Sequence, residues 1–256
     1  MTTSFSGKVI LITGAAGGFG SAAAKMFSDA GARLVLSDFR ADALDVVAAS
    51  LEGEVRAVAG DVSDPQLAGS LVDAAMTEFG GLDIAVNNAG IAHDYMPLAK
   101  TPDEVMRRII EVDLMGVFYA MKAQLGLMDR QFRDTGRQGA IVNVASVAGV
   151  VAAPMLAAYS AAKHGVVGLT KSAAIEHARR GVRINALCPS FARTPMATDM
   201  LAKDGEGAEE KLVMAIPMGR LAEVSEVMAG LRFLADPDNS FVTGQTLHVD
   251  GGLSAR

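Results

Sequence analysis

Short runs of consecutive apolar residues alternate with longer stretches of mixed polarity along the whole chain. Apolar runs rich in β-branched residues are typical of parallel strands covered on both faces, and the mixed stretches are typical of connecting helices. The predicted strands are Val9–Ile12, Arg33–Asp38, Val55–Ala59, Leu82–Val86, Gly139–Val144, Arg183–Cys188 and Thr246–Val249. The predicted helices are Ser21–Ala30, Ala41–Leu51, Asp64–Phe79, Pro102–Arg130, Ala157–Arg179 and Ser225–Leu234.

This alternation continues without a linker, an internal repeat or a low-complexity tract. We therefore predict a single α/β domain over residues 1–256, built on a parallel sheet. Ligands of such sheets bind beyond the carboxyl ends of the strands. Residues able to bind a ligand or to take part in catalysis lie at the carboxyl ends of five predicted strands, namely Gly14, Asp38, Asn87, Ser146 and Pro189. One crevice can therefore collect all five.

Composition and charge narrow the classes of function. The net charge of -6 and the lack of a Lys/Arg-rich run argue against a nucleic-acid partner. No apolar run approaches the ~18 residues of a membrane span, and no signal peptide is predicted. The single cysteine, Cys188, excludes an internal disulfide and fits a reducing compartment, so we predict a cytoplasmic protein. The histidines lack metal-ligand spacing, so no metal site is predicted.

A glycine-rich segment, Thr13-Gly14-Ala15-Ala16-Gly17-Gly18-Phe19-Gly20, joins the first predicted strand to the first helix. Strand, glycine turn and helix is the layout of a phosphate-binding unit. Gly14 permits a tight turn, Gly18 lets the backbone approach a pyrophosphate, and Gly20 lets the helix pack close to the strand. The free N–H groups of the helix N-terminus then face the phosphates. This position favours dinucleotide binding over an ordinary flexible loop.

The residues at the carboxyl ends of the second and third strands indicate which dinucleotide is bound. Asp38 lies 18 residues after Gly20, close to the ~20 expected for a carboxylate on the adenosine ribose. A carboxylate accepts hydrogen bonds from the ribose hydroxyls and repels a 2′-phosphate, so we predict NAD as the cofactor. Arg40 is the opposing signal, because a guanidinium can receive a phosphate. Asp61 can meet the adenine amino group or be a plain loop carboxylate.

Tyr159 and Lys163 lie four residues apart in a predicted helix, which places them on one face a turn apart. A phenol ordinarily titrates near pH ~10, and a neighbouring ammonium favours the phenolate. The pair therefore offers a proton donor and acceptor. Alone, such a pair is more often a solvated helix face, so the prediction depends on the rest of the chain.

Four motifs in this order resemble the short-chain dehydrogenase/reductase family over essentially the whole chain: Thr13-Gly14-x-x-x-Gly18-x-Gly20, Asn87-Asn88-Ala89-Gly90, Ser146 and Tyr159-x-x-x-Lys163. The resemblance implies a doubly wound, seven-stranded Rossmann sheet and a nicotinamide cofactor. It also implies that Tyr159 is the general acid/base, that Ser146 polarises the substrate oxygen, and that Lys163 binds the nicotinamide ribose and lowers the pKa of Tyr159. Relatives are usually homotetramers.

The resemblance also supplies an expected set of cofactor-binding residues. They are Gly14, Gly18, Phe19, Gly20, Asp38, Asp61, Val62, Asn88, Ala89, Gly90, Tyr159, Lys163, Pro189, Ala192 and Thr194. Two positions depart from the family pattern. Asp113 aligns with the family's catalytic asparagine, and its carboxylate can pair with Lys163 and weaken the pull of that lysine on Tyr159. We nevertheless include Asp113 in the catalytic set and expect an active enzyme. Ser190 replaces a glycine that is common after the proline.

We therefore predict an NAD(H)-dependent enzyme that interconverts a secondary alcohol and a ketone. The polar segment at about 193–218 is predicted to be a lid, because Met196, Met200, Met214 and Met218 bracket it, although each can equally fill the core. Together with Met96, Met155 and Phe191, these side chains favour an apolar small-molecule substrate that is cyclic or aromatic. A 3-oxoacyl-carrier-protein reductase is the main rival, disfavoured by Asp38 and the net acidity. A non-catalytic NAD-binding sensor is the other alternative.

Overall fold

A seven-stranded parallel sheet forms the centre of the molecule in the computed structural model, which describes residues 5–195, 197–198, 203 and 207–255. The strands are β1 Val9–Thr13, β2 Arg33–Ser37, β3 Val55–Ala57, β4 Ile84–Asn87, β5 Gly139–Val144, β6 Val182–Pro189 and β7 Thr246–Val249. Their order across the sheet is β3-β2-β1-β4-β5-β6-β7. The predicted Rossmann-type sheet and single domain are confirmed.

Helices cover both faces of the sheet. They are α1 Gly18–Asp29, α2 Ala41–Ala49, α3 Pro65–Phe79, α4 Asp103–Ile109, α5 Gly116–Thr135, α6 Ala157–His177, α7 Ala208–Ala215 and α8 Val224–Ala235, with a π-helical segment, Ile110–Met115, between α4 and α5. Among the described residues, no helix is long and apolar enough to cross a membrane.

The two hydrophobic cores explain why the central strands contain unbroken apolar runs. Every residue of β1 is buried, and alternate side chains enter opposite layers. Ile10 and Ile12 pack with Phe27 of α1 in one core. Val9 and Leu11 pack in the other core, beneath α3, α5 and α6. A strand buried on both faces has no polar side, so its sequence shows no alternation.

The strand order reverses next to β1, because β2 and β4 both pair with it. The chain leaves β1 toward one half of the sheet and returns through β4 to begin the other half. Loops after these strands therefore diverge, and a crevice opens at their carboxyl ends. This crevice is where the predicted functional residues meet.

Two predicted segments differ from the structure. The stretch predicted as one helix, Pro102–Arg130, is divided by the π-helical segment, where one extra residue is accommodated within the turn. Within the polar segment at about 193–218, where no helix is predicted, Ala208–Ala215 form α7, whose first turn carries Glu209 and Glu210. Acidic side chains stabilise a helix N-terminus, so the polar composition that indicated a loop also suits the start of a helix.

Candidate active site

The two residues of the predicted catalytic pair lie on adjacent turns of α6. Lys163 is buried, and its Nζ lies 5.5 Å from the centre of the Tyr159 ring. The ammonium also donates a hydrogen bond of 3.3 Å to the carbonyl oxygen of Val144, the last residue of β5. The Cβ of a side chain at position 149 would lie 2.7 Å from the Lys163 carbonyl oxygen, so Gly149 allows α6 to pack against this loop. The lysine is therefore held between a helix and a strand end.

Ser146 follows β5 and lies on the same wall of the crevice as Tyr159. Its Oγ accepts a hydrogen bond of 3.1 Å from the backbone N–H of Ala148, which leaves the hydroxyl proton to be donated. The Ser146 hydroxyl lies close enough to the Tyr159 phenol to favour its ionised form and so to oppose a rise of its pKa. The structure thus brings the two hydroxyls together, as any joint action on one substrate oxygen requires.

Asp113 is completely buried within the π-helical segment. Its Oδ1 accepts a hydrogen bond of 2.8 Å from the backbone N–H of Ile91, and its Oδ2 lies 3.3 Å from Lys163 Nζ. A side chain at Gly90 would enter the space above this pair, since its Cβ would lie 3.2 Å from Lys163 Nζ and 3.3 Å from Asp113 Oδ2. The carboxylate therefore faces the lysine across the loop that follows β4.

Burial raises the pKa of Tyr159 above its ordinary value. The charge of Lys163 and the Ser146 hydrogen bond oppose this rise, and the charge of Asp113 adds to it. Burial lowers the pKa of Lys163, but the negative charges of Asp113 and Tyr159 outweigh it and raise that pKa. Lys163 lowers the pKa of Tyr159 as the resemblance implies, but burial, with the charge of Asp113 added to it, exceeds this effect, so the net pKa of the phenol is raised.

The pKa of Asp113, whose charge raises the pKa of Tyr159, is itself shifted by the surroundings of that carboxyl. Burial raises the pKa of Asp113, while the charge of Lys163 and the hydrogen bond from Ile91 oppose the rise. Nearby, burial raises the pKa of the Cys188 thiol to about 11, so Cys188 stays neutral, and its side chain packs within a hydrophobic core. Asp113 and Lys163 thus supply the charges that act most directly on Tyr159.

The glycine segment and the loop after β4 form one wall of the crevice. A Cβ at Gly14 would lie 2.8 Å from the Cα of Ala89, and Gly14 has a φ of 64°. The Asn88 side chain donates hydrogen bonds to the carbonyl oxygens of Thr13 and Gly14 at 3.0 and 3.1 Å. Gly20 also has no room for a side chain, because its Cβ would overlap the Gly14 carbonyl. These contacts hold the two loops against each other.

The segment after β6 closes the crevice from the other side. Pro189 ends β6, and Ala192 forms a bridge with Ala222. The side chain of Thr194 lies about as close to Gly18 as packing permits, since a Cβ at Gly18 would be 3.0 Å from the Thr194 Cβ. Phe19 packs against the core beside this contact. The predicted residues of the glycine segment and of the β6 segment are thus neighbours.

Asp38 is buried at the end of β2 and is bound by backbone on both oxygens. Oδ2 accepts a hydrogen bond of 3.0 Å from Ala16 N, and Oδ1 accepts one of 3.0 Å from Arg40 N. The Arg40 Nε also lies 3.3 Å from Oδ1, so the guanidinium that was the opposing signal pairs with the carboxylate. Asp38 therefore ties the glycine segment to the start of α2.

Asp61 lies further along the same edge, and its oxygens already have partners. Oδ1 accepts from the backbone and hydroxyl of Ser63 at 2.9 and 2.7 Å, and Oδ2 accepts from Arg108 at 2.8 Å. These bonds lower the pKa of Asp61 although burial raises it. Val62 packs against Gly116 at the start of α5. The predicted adenine contact by Asp61 must therefore share the carboxylate with Arg108.

Asn87, predicted to lie in the crevice, is buried beneath it in an amide network whose other members are missing from the predicted set. Asn87 donates hydrogen bonds to Gln124 and Asn143 at 3.1 and 2.8 Å, Gln124 donates back to Asn87 at 2.7 Å, and Asn143 donates to Thr170 at 2.9 Å. The network joins β4, β5, α5 and α6. The sequence feature that indicates such a network is a polar residue within an apolar stretch, because a buried amide needs hydrogen-bond partners on neighbouring elements.

Known proteins resemble this chain over nearly its whole length. A family model described as enoyl-(acyl carrier protein) reductase matches residues 14–254. Cis-4-hydroxycyclohexanecarboxylate dehydrogenase of Sinomonas cyclohexanicum is 41% identical over 259 residues and covers 100% of both chains. The chain belongs to the short-chain dehydrogenase/reductase family. As a member of that family it is an oxidoreductase of the alcohol-dehydrogenase type.

Two further members of the family differ in what they act on. Cyclohexanol dehydrogenase of an Acinetobacter species is 36% identical, over 100% of this chain and 98% of its own. The crystal structure of 3-ketoacyl-(acyl-carrier-protein) reductase from Brucella melitensis, complexed with NADH, superposes with a TM-score of 0.91. It is 37% identical and covers 98% of this chain and 100% of its own. The predicted family is therefore confirmed, while its members leave the substrate open.

The residues present in this dehydrogenase fit a dinucleotide. At Gly14, Gly18 and Gly90, any side chain would meet a neighbouring loop or Lys163. Helix α1 begins at Gly18, with no acidic residue in its first turn, so its free N–H groups can receive a pyrophosphate. Across the described residues, no group of three His, Cys, Asp or Glu side chains is placed to hold a metal ion.

Proposed function

We propose that this short-chain dehydrogenase uses NAD(H) to interconvert a secondary alcohol and a ketone on an apolar, cyclic small molecule. The observation that carries the proposal is the placement of Ser146, Tyr159 and Lys163 at the carboxyl edge of the sheet, where Ser146 and Lys163 both lie close enough to Tyr159 to favour its ionised form. Negative charge develops on the substrate oxygen during the reaction, and two neighbouring hydroxyl groups can stabilise that charge and exchange a proton with it.

In this proposal each side chain has one task at the substrate oxygen. Tyr159 takes the hydroxyl proton when the alcohol is oxidised and returns it when the ketone is reduced. Ser146, whose oxygen already accepts from Ala148 N, donates its proton to the same oxygen and stabilises negative charge there. Lys163 lowers the cost of the phenolate and offers its remaining N–H groups to the nicotinamide ribose. The bound nicotinamide cofactor supplies or receives the hydride.

Several contacts support NAD as the cofactor. Asp38 places a buried carboxylate where the adenosine ribose is expected, and it pairs with Arg40. The expected cofactor-binding residues converge on one crevice, from Gly14 and Gly18 through Asn88, Ala89 and Gly90 to Pro189, Ala192 and Thr194. Asp61 and Val62 lie on the adenine side of it, in this proposal. A related structure that is complexed with NADH favours the same choice.

The substrate side of the proposal depends on the loops beside Tyr159. Met96 and Met155 are joined by a backbone hydrogen bond of 2.9 Å, which brings two flexible apolar side chains next to the start of α6. Relatives that act on cyclohexane rings favour a cyclic substrate. We assign the segment at about 193–218 as the lid. Its Lys203 pairs with Asp94 of the loop after β4 at 2.8 Å, while Met196 and Met200 lie outside the described residues.

A substrate panel tests the proposal. We expect cyclic secondary alcohols and ketones to be turned over with NAD(H), with a kcat/KM at least roughly tenfold above that for small charged hydroxy acids. The reason is that burial of one unpaired charge costs more free energy than a tenfold difference in rate represents. The panel is run in parallel with NADP(H) and with a 3-oxoacyl thioester. Preference for the thioester would establish the rival reductase. Tight NAD binding with no turnover of any compound would establish the sensor.

We also propose a cytoplasmic homotetramer. Large apolar side chains are exposed on several elements, including Phe118 on α5, Ile175 on α6 and Phe233 on α8, and a second copy can cover them. The reduced, buried Cys188 suits the cytoplasm. We expect light scattering to give four times the 26.5 kDa of one chain. A mass of one or two chains at micromolar concentration would contradict the tetramer.

A further inference from the structure

The pairing of Asp113 with Lys163 changes the charge that Tyr159 experiences. Asp113 Oδ2 lies 3.3 Å from Lys163 Nζ, and both side chains are almost completely buried. In the described part of the chain, Oδ2 has no hydrogen-bond donor other than this ammonium facing it. The other oxygen is fixed by Ile91 N at 2.8 Å. The carboxylate therefore has little freedom to turn away from the lysine.

The number of charges around the phenol decides its protonation. A lone ammonium beside a phenol makes the phenolate one half of a neutral pair, which a buried site favours. With Asp113 ionised, the ammonium is already neutralised, and a phenolate would be a second negative charge in the same site. Buried like charges disfavour ionisation, as two carboxylates that share a site show. Asp113 therefore acts on Tyr159 in the direction opposite to Lys163.

The other groups around the pair do not cancel this effect. Cys188 of β6 is a neutral thiol, because burial raises its pKa to about 11. In the loop after β4, Asp94 is paired at the surface with Lys203, and His93 Nδ1 is bonded to the carbonyl oxygen of Asp94. Val144 and Ser146 contribute only uncharged hydrogen-bonding groups. The pKa of Tyr159 is accordingly raised, with Asp113 among its causes.

We propose that Asp113 is a positioning residue which, through Lys163, keeps the Tyr159 hydroxyl protonated at neutral pH. The site is thereby set to deliver a proton to a ketone, and it accepts one from an alcohol only under more alkaline conditions. In reduction the Tyr159 O–H bond breaks, its proton joins the carbonyl oxygen, and a hydride that a reduced nicotinamide cofactor would supply adds to the carbonyl carbon; the phenolate that remains regains its proton from water. This inference rests on the proposed function. It concerns the pH at which oxidation and reduction are each fastest, because an enzyme leaves the equilibrium of its reaction unchanged.

Ultraviolet titration of the phenols tests the inference without substrate or cofactor. The chain has three tyrosines and no tryptophan, so the difference between the wild type and Tyr159→Phe isolates Tyr159. The same subtraction is made in an Asp113→Asn background. We expect the Tyr159 midpoint to fall by roughly one pH unit or more in that variant, because removal of one buried like charge has an effect of this size. An unchanged or higher midpoint would overturn the inference.

The pH profile of alcohol oxidation supplies the second readout. We expect the rising limb of kcat/KM to move to lower pH in Asp113→Asn by the same interval as the phenol midpoint. Asp129→Asn is the matched control, because Asp129 lies on α5 but pairs with His177 and Arg180, away from the site. The control should leave the limb in place. A loss of rate in Asp113→Asn without displacement of the limb would indicate a purely structural role and contradict the proposal.

A second variant keeps the test independent of folding and of the proposed activity. Asp113→Ser also removes the charge, leaves a hydroxyl to meet Ile91 N, and should lower the midpoint in the same direction. Circular dichroism verifies that each variant is folded. If the wild-type protein turned over no alcohol or ketone, the proposed function would fail, while the phenol titration would still decide the role of Asp113.

Discussion

Replacing Tyr159 by phenylalanine should lower kcat by roughly 10³-fold in both directions, because the substrate oxygen then has no group from which to gain or to which to lose a proton. Ser146 would still stabilise negative charge on that oxygen, so some activity should remain. Cofactor affinity should change little, since the ring and the lysine beside it are kept. Steady-state kinetics on a cyclic alcohol, with cofactor affinity measured separately, provide the test.

Tyr119→Phe is the matched control for this experiment. Tyr119 lies on α5 and its ring contacts Phe118, so the same hydroxyl is removed from a site without Ser146 or Lys163. We expect wild-type kcat in the control. Turnover close to that of wild type in Tyr159→Phe would show that another group carries the proton, and the proposed chemistry would then have to be abandoned.

Asp38→Asn should lower the preference for NAD over NADP by about 100-fold, which corresponds to about 2.7 kcal/mol of binding free energy. The carboxylate repels a 2′-phosphate. The repulsion energy between two like charges a few ångströms apart near a protein surface is of this order. Its removal also frees Arg40, whose Nε lies 3.3 Å from Asp38 Oδ1, to receive the phosphate. The measurement is the ratio of kcat/KM with each cofactor.

Asparagine is the appropriate substitution because it keeps an oxygen for Ala16 N, which binds Asp38 in the native chain. The control is Asp42→Asn, an exposed carboxylate in the first turn of α2. It removes the same charge a few residues further on and should leave the ratio unchanged. A similar shift in both variants would mean that general charge, rather than the position of Asp38, sets the preference.

Most of the sheet could be predicted from the sequence because its strands are apolar along their whole length. If Val9–Ile12 and its parallel neighbours are buried strands, their carboxyl ends must meet at one edge of the sheet, and the residues placed there form the site. Ser146 and Tyr159 are far apart in the chain, yet the alternation of strand and helix was sufficient to bring them together.

The electrostatics of the site could not be predicted in the same way. The spacing of Tyr159 and Lys163 implies that they are neighbours, but not how deeply they are buried or where Asp113 points. Burial is a property of the whole packing, and here it raises the pKa of the phenol more than the ammonium lowers it. The partners of Asp38 and Asp61 were hidden for a related reason, because backbone N–H groups carry no sequence signal.

The π-helical segment has a consequence for how the two parts of the long connection are oriented. One additional residue in a helix rotates everything after it by about 100°, since a turn contains 3.6 residues. The apolar stripe of α4 and that of α5 are therefore out of phase, and no single helical wheel describes residues 103–135. Deleting one residue from Ile110–Met115 would realign the stripes while swinging the acidic side chain away from α6, so a more regular helix would come with a differently charged site.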